Sequence, residues 1–259
     1  MRRRDFINLV GGAAAGWPLA ARAQQPALPL VGFLTSLGKN DRPNLAAAFR
    51  RGLSEASFVE GRRNAIIEYR FAEERHDRLH ALAAELVDLK VSVILAGGGG
   101  AAVLAAKAAT STIPIVFTTG GDPVQLGFVA SLNRPGGSLT GVSWFGTRLA
   151  SKALGLLVEL VPNAAVVALL ANPNLREGAA MISEAQETAR ALGRRLLVLN
   201  GSTRTEINAA FATMREQRAD VLYVGGDPFF SSRRQQIVAL ATRDAIPDMY
   251  ANREFVEEG

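Results

Sequence analysis

The segment IVFTTGGDP at residues 115–123 recurs in outline as VLYVGGDP at residues 221–228. In both copies a short run of β-branched and aromatic residues, typical of a buried strand, ends in Gly-Gly-Asp-Pro. An Asp-Pro pair is typical of a helix N-terminus, because aspartate caps a helix and proline suits its first position. The two aspartates lie 105 residues apart, a domain-sized spacing well beyond the roughly 20–50 residues of solenoid units. The sequence therefore predicts two similar lobes, each with one such strand-to-helix corner.

Short apolar runs alternate with longer amphipathic segments, a pattern that favours βαβ units and parallel sheets. Strands are predicted at residues 28–34, 65–71, 91–96, 115–119 and 139–143, and then at 166–171, 195–199, 221–225 and 247–250. Helices are predicted at residues 43–57, 76–89, 101–110, 124–131, 149–160, 176–192, 205–217 and 231–244. We therefore expect an α/β protein with two Rossmann-like lobes, an N-terminal lobe at residues 24–143 and a C-terminal lobe at residues 144–250, with a ligand cleft between them.

The N-terminus has the pattern of a cleavable export signal. Three arginines at residues 2–4 precede a modestly apolar run at residues 6–19, and Ala-Arg-Ala follows at residues 21–23. The paired arginines indicate the twin-arginine type of signal. The apolar run contains an asparagine and a proline and is shorter than the ~20 residues that a membrane span needs. We therefore expect a periplasmic protein whose mature chain begins near Gln24.

Composition excludes several classes of function. The chain has no cysteine, which excludes disulfides, a lipid anchor on cysteine and thiolate metal sites. Four arginines and one aspartate lie in the expected signal, so the remainder carries 25 basic and 23 acidic residues against 29 and 24 in the whole sequence. That excess is too small, and its charges too scattered, for a groove that follows a nucleic-acid backbone. We expect no nucleic-acid partner.

Ligands of open parallel sheets bind beyond the carboxyl ends of the strands, so the residues that follow each strand are candidate ligand contacts. Four glycines at residues 97–100 leave bare N–H groups at a predicted helix start, which suits a carboxylate or phosphate. Aspartates could accept hydrogen bonds from a ligand amine, and a phenylalanine could cover an apolar ligand face. The candidate ligand-binding residues are Thr35, Ser36, Gly98, Gly99 and Asp122 in the first lobe and Asn172, Asp227 and Phe229 in the second.

Each of these polar residues also has a purely structural interpretation that the sequence leaves open. Asp122 and Asp227 could act as helix caps alone, because each precedes a proline. Asn172 precedes Pro173 and is equally ambiguous. Phe229 and its neighbour Phe230 could belong to the core, as aromatic residues usually do.

Some of the same residues also allow an enzymatic interpretation. Gly97-x-Gly99-x-x-Ala102 follows a strand and opens a helix, as in dinucleotide-binding proteins, so an NAD(P)-binding oxidoreductase is the alternative. The match falls on the third strand rather than the first. Any run of four glycines fits the glycine positions of this pattern, so the match is weak evidence for dinucleotide binding. No P-loop or Gly-x-Ser-x-Gly motif is present. The only histidines, His76 and His80, have no third ligand beside them, so we expect no metal, no cofactor and no catalysis.

The sequence resembles the ABC-transporter substrate-binding proteins of the tryptophan-binding type, which have the class I periplasmic-binding-protein fold. The likeness runs from the N-terminal signal to Gly259. The strings that carry it are DPV at residues 122–124 with Leu132, PGG at 135–137, TGV at 140–142, NPN at 172–174, DPFF at 227–230, RRQQI at 233–237 and REFVEEG at 253–259.

This resemblance implies capture of a small, amino-acid-like solute and its delivery to a membrane permease driven by an ATPase. It places Thr35, Ser36, Gly98, Asp122 and Asp227 near the ligand, and we expect a monomer. A ligand-sensing domain of a signalling system shares the fold and stays open as an alternative. The sequence departs from the family in its glycine quartet at residues 97–100, where relatives often carry a threonine-bearing loop. It also stops where relatives cross back to the first lobe, so residues 251–259 are expected to begin that crossover in a shortened chain.

Overall fold

A computed structural model describes residues 28–41, 43–61 and 64–259 of the chain. The expected export signal at residues 1–23 lies outside these residues and stays a prediction. Within the described ranges, no helix is both long enough and apolar enough to cross a membrane.

The first lobe is a five-stranded parallel sheet with helices beside it. The strand order is β2-β1-β3-β4-β5, and every neighbouring pair of strands is parallel. Its elements are β1 (Leu30–Thr35), α1 (Pro43–Glu55), β2 (Ile66–Phe71), α2 (Leu79–Asp88), β3 (Val93–Gly97), α3 (Gly100–Ala109), β4 (Ile115–Thr119) and β5 (Leu139–Ser143).

The second lobe repeats this plan with four parallel strands in the order β7-β6-β8-β9. Its elements are α4 (Ala150–Leu160), β6 (Val166–Ala171), α5 (Gly178–Ala191), β7 (Arg195–Asn200), α6 (Arg204–Glu216), β8 (Val221–Val224), α7 (Pro228–Ser232), α8 (Arg234–Asp244) and β9 (Asp248–Tyr250). The expected α/β class with parallel sheets flanked by helices is confirmed.

Apolar spacing explains how the helices pack. In α6 the buried residues Ile207, Ala210, Phe211 and Met214 follow the i, i+3, i+4, i+7 pattern of one helical face. The helix begins at a cap, because the Thr203 hydroxyl accepts a hydrogen bond from the Glu206 N–H at 3.1 Å. Helices cover both faces of the second sheet, so all four residues of β8 are buried.

Two predicted helices differ from the structure. Residues 123–127 form consecutive turns and residues 128–131 are irregular, because Gly127 has φ +72° and the hydrogen bonds that follow Asp122 do not continue as a helical ladder. The predicted helix at 231–244 begins earlier, at Pro228, and is interrupted at Arg233, whose N–H bonds to the carbonyls of Phe229 and Phe230. The prediction of a helix at 124–131 was therefore wrong, whereas the prediction at 231–244 was right except at Arg233 and missed residues 228–230 at the start of α7.

The carboxyl ends of the two sheets face each other. Residues that follow β1, β3 and β4 lie opposite residues that follow β6 and β8, and both sets border common cavities. Polar contacts cross the gap: Thr119 bonds to Glu177, and Glu74 pairs with Arg233. The fold therefore creates one cleft with a wall from each lobe.

Candidate ligand-binding cleft

Two adjacent cavities occupy the cleft. The larger has a volume of about 370 Å³, within the usual range of roughly 300–1,000 Å³ for small-molecule sites. The smaller has about 50 Å³. Residues common to both linings are Leu37, Gly98, Gly99, Leu175 and Pro228, which come from both lobes.

The first-lobe wall is built around Gly98 and Gly99. Their φ angles, +80° and +118°, are conformations that residues with a side chain rarely adopt. The Ser36 hydroxyl donates a hydrogen bond to the Gly98 carbonyl, and a Cβ on Gly98 would overlap the Thr35 hydroxyl. Glycine at 99, the residue before α3, supplies no side-chain cap. The first N–H groups of α3 therefore start beside the cavities as potential hydrogen-bond donors.

Thr35 and Asp122 are the two predicted site residues outside both linings. Thr35 is buried behind Gly98, and its hydroxyl accepts a hydrogen bond from the Leu37 N–H at 3.3 Å. Asp122 is half-buried and accepts bonds from the N–H groups of Val124 at 2.9 Å and Gln125 at 3.3 Å. Each of the two therefore stabilises the backbone of its own loop.

Asp227 forms the centre of the second-lobe wall and lines the smaller cavity. It is 4% exposed, and its Oδ1 accepts bonds from the N–H groups of Phe229 at 2.6 Å and Phe230 at 3.2 Å. Burial raises the pKa of Asp227 to about 6, although these bonds and one to Asn172 act against the shift, and the nearby charge of Glu177 adds to it. Asp227 is thus both a helix cap and a buried, electrostatically perturbed cavity residue.

Asn172 and Phe229 complete the set that the sequence predicted around the smaller cavity. The Asn172 Oδ1 accepts a bond from the Asn174 N–H at 2.9 Å, which fixes the loop after β6. Phe229 is buried, and the Arg233 guanidinium carbon lies 5.3 Å from the centre of its ring. The structure therefore brings together six of the eight predicted residues: Ser36, Gly98, Gly99, Asn172, Asp227 and Phe229.

Glu177 is a cleft residue that the sequence analysis missed. It is 6% exposed, precedes α5 and lines the larger cavity. Its Oε1 accepts a hydrogen bond from the Thr119 hydroxyl of the first lobe at 2.9 Å. Its Oε2 is enclosed and has no hydrogen-bond partner among the described residues. The one available signal was its position in the loop that joins β6 to α5, at the carboxyl edge of the sheet.

Trp144 is the second missed residue. It follows β5 in the segment that joins the lobes, and its side chain is 58% exposed while lining the larger cavity. A Cβ on Gly120 would lie 3.2 Å from the indole nitrogen, so the indole packs close to that backbone. An exposed tryptophan at a cavity offers a broad apolar face with one hydrogen-bond donor.

An ion-pair cluster closes the rim of the cleft. The Arg233 guanidinium binds both oxygens of Glu74, at 2.8 and 2.9 Å, and lies 3.5 Å from Asp41. Burial raises the pKa of the Glu74 carboxyl, and the Arg233 charge opposes that rise. Because Glu74 and Asp41 belong to the first lobe and Arg233 to the second, the cluster holds the lobes together.

The described residues contain no group of three or more histidine, cysteine, aspartate or glutamate side chains that could hold a metal ion. His76 and His80 are both exposed, and His76 also borders the smaller cavity.

The fold and the cleft define a two-lobed α/β binding protein, and the sequence comparison gives its family. The family described as ABC transporter substrate binding protein matches residues 40–259, and the chain belongs to it. A curated relative, a tyrosine-binding protein of Clostridioides difficile (strain R20291), is 27% identical over 222 residues. That match covers 85% of this chain and 63% of the relative, so the chain spans less than two thirds of the relative's length.

Solved structures share the fold. A Streptococcus pneumonia domain in complex with L-Trp is 19% identical, with a TM-score of 0.77 over 90% of this chain and 77% of that one. A ligand-free, open substrate-binding protein with adhesive properties from Clostridium difficile is 25% identical, with a TM-score of 0.56 over 89% of this chain and 76% of that one. A leucine-binding protein from Thermotoga maritima is 13% identical, with a TM-score of 0.65 over 90% and 67%. These likenesses confirm the class I periplasmic-binding-protein fold.

Proposed function

We propose that this chain is the solute-binding component of an ABC importer, which captures a small, amino-acid-like solute between its lobes and delivers it to a membrane permease. The observation that carries the proposal is the cleft itself. The carboxyl ends of two separate parallel sheets border the same cavities, which is where ligands of such sheets bind.

The chemistry of the walls supports an amino-acid-like ligand. Backbone N–H groups at the start of α3 suit a carboxylate, since the helix N-terminus carries partial positive charge. Buried carboxylates on the opposite wall suit an amine. One relative is named a tyrosine-binding protein, and a structural neighbour holds L-Trp.

Six of the predicted residues form the smaller-cavity part of the site in this proposal, and two support it. Ser36, Gly98 and Gly99 shape the first wall, while Thr35 holds Gly98 from behind and Asp122 caps its own loop. The other three, Asn172, Asp227 and Phe229, shape the second wall.

We further propose that the protein acts by lobe closure and catalyses no reaction. Contacts across the cleft, from Thr119 to Glu177 and from Glu74 to Arg233, can form only while the lobes are together. The similarity to the L-Trp complex exceeds that to the open, ligand-free structure, although the second is closer in sequence. Ligand binding would then shift an open–closed equilibrium and present a closed surface to the permease.

The remaining assignments belong to the same proposal. We assign the protein to the periplasm, as a monomer exported by the signal at residues 1–23. The lobes comprise residues 24–143 and 144–250, and residues 251–259 start the return to the first lobe.

Thermal unfolding of the full chain with single solutes tests the proposal. We expect one or more L-amino acids, at about 100 times their Kd, to raise Tm by about 5–10 °C. NAD and NADP should leave Tm unchanged. Stabilisation by a dinucleotide without any response to amino acids would contradict solute capture and favour the oxidoreductase alternative.

Two glycine variants give a matched control. Gly99 and Gly193 both have positive φ, and a Cβ would meet nothing within 4 Å at either position. Only Gly99 lines the cleft. Gly99→Ala and Gly193→Ala should both lower Tm through backbone strain, but only Gly99→Ala should lose the rise caused by the amino acid. Equal ligand responses in the two variants would place the site elsewhere.

A further inference from the structure

Glu177 differs from Asp41, Glu74 and Asp227 because one of its carboxylate oxygens is buried without a hydrogen-bond partner among the described residues. It takes part in none of the ion pairs among the described residues. Within the part of the chain that the structure describes, the Thr119 hydroxyl donates to one of its oxygens and no group donates to the other. A buried carboxylate oxygen without a hydrogen-bond partner lowers the stability of the fold, so the presence of glutamate at this position needs a specific explanation.

The larger cavity, which Glu177 lines, offers such an explanation. Of the described residues that line it, Glu177 is the one ionisable side chain. The other lining residues are apolar or neutral: Leu37, Leu45, Gly98, Gly99, Thr118, Thr119, Gly120, Trp144, Leu175, Gly226, Pro228 and Asn252. A solute that fills this cavity therefore meets one negative charge in otherwise uncharged surroundings.

We propose that Glu177 is the receptor for a primary ammonium group of the solute and so restricts the cargo to amines. This inference rests on the proposed function and names the chemical class that the same cleft accepts. The ammonium group would bind the Glu177 carboxylate, while Trp144 covers the apolar part of the solute. A cation near an indole is also attracted by the ring, which adds to the preference.

The position of Glu177 links recognition to closure. Its carboxylate belongs to the second lobe, while its Thr119 partner belongs to the first. A Cβ on Gly121 of the first lobe would overlap the Glu177 Cγ, so the two lobes touch at this side chain. A cation bound here therefore meets both walls at the point where the lobes meet.

Isothermal titration of the full chain tests the inference with matched probes. The probes are the twenty standard L-amino acids and, for each one that binds, the carboxylic acid of the same side chain without the amine, such as 3-phenylpropionate for L-phenylalanine. We expect wild type to bind the amine-free acid at least about 10-fold more weakly. Glu177→Gln should weaken amino-acid binding about 10- to 100-fold and leave the amine-free acid unaffected.

Glu184→Gln is the control. Glu184 lies on the same helix, α5, and also accepts a hydrogen bond from a hydroxyl, that of Ser151 at 2.5 Å. It does not line either of the two cavities. This variant should bind amino acids as wild type does.

The stability of the ligand-free chain gives a second measurement. If Glu177 is kept for the ligand, removing its uncompensated charge should raise the Tm of the ligand-free protein by about 2–4 °C. A structural role predicts a lower Tm for Glu177→Gln instead.

The outcomes separate the inference from the function on which it rests. Amino-acid binding by Glu177→Gln at wild-type affinity overturns the inference and leaves solute capture intact. The same holds if wild type binds amine-free solutes such as benzoate and no amino acid. A chain that binds neither kind of solute overturns both.

Discussion

The two Gly-Gly-Asp-Pro corners share four residues but not their environment. Asp122 is half-buried, caps turns that do not become a helix, and stands outside both cavities. Asp227 is buried, caps α7 and lines the smaller cavity. The comparison teaches that the motif specifies a local hydrogen-bond pattern, whereas the residues packed around it decide whether the carboxylate also belongs to a site.

The residues after each proline explain the difference. Phe229 and Phe230 follow Asp227 and are buried in the core, which draws the corner inward and removes its carboxylate from water. The first corner continues with Val124 and Gln125, both exposed, and then with Gly127 at positive φ. Both aspartates cap the backbone in the same way, but only the carboxylate of Asp227 is also removed from water.

The largest expected effect concerns pH. Because burial raises the pKa of Asp227 to about 6, the folded protein holds a proton that the unfolded chain releases near pH 4. The contribution of Asp227 to stability is therefore complete below about pH 4 and falls as pH rises, by about 3 kcal/mol once pH passes 6. Asp227→Asn keeps a capping oxygen and should lose this dependence.

Urea unfolding at a series of pH values from 4 to 8 measures that effect. The difference in unfolding free energy between Asp227→Asn and wild type should shift in favour of the variant as pH rises. A difference that is constant over this range would show that the carboxylate of the second corner is not desolvated.

The next effect compares the two caps directly. Asp227→Ala leaves two buried N–H groups without their acceptor, so we expect a loss of about 2 kcal/mol at pH 5. At the first corner water can replace the acceptor, and Asp122→Ala should cost about 0.5–1 kcal/mol. Chemical denaturation of both variants gives the comparison, and equal losses would remove the distinction between the corners.

The smallest expected effect concerns Gly121 and Gly226, the glycines that directly precede the two capping aspartates. A Cβ on Gly121 would overlap Glu177 of the other lobe and lie 2.8 Å from Leu126, whereas a Cβ on Gly226 would meet Ala251 at 3.3 Å. Gly121→Ala should therefore hinder closure by about 1 kcal/mol and weaken solute binding about 5-fold. Gly226→Ala should change affinity less. Calorimetric affinities decide the order, and a stronger effect at Gly226 would reverse the roles of the corners.

Local patterns predicted the strands well and the first corner poorly. The strands at 115–119, 139–143 and 166–171 agree with the structure at both ends, because short apolar and β-branched runs close to glycine, proline or asparagine are local signals. The helix at 124–131 failed because a cap and a proline start a turn but do not ensure its continuation past Gly127.

The failure to predict Glu177 has a different explanation. Glu177 acquires its place through a hydrogen bond to Thr119, 58 residues earlier in the chain and on the other lobe. Six cleft residues were predicted because they closely follow a strand, whereas Glu177 lies six positions beyond β6. A contact between lobes depends on how two complete sheets are oriented, which no short window of sequence contains.

Arg233 contacts both the wall of the cleft and its rim. Its guanidinium lies over Phe229, a wall of the smaller cavity, and also binds Glu74 at the rim. The Arg233 side chain thus influences both the shape of the smaller cavity and the contact between the two lobes. A substitution at Phe229 that changes cargo choice would therefore also disturb the Arg233 ion pair at the rim and alter how fast the cargo leaves.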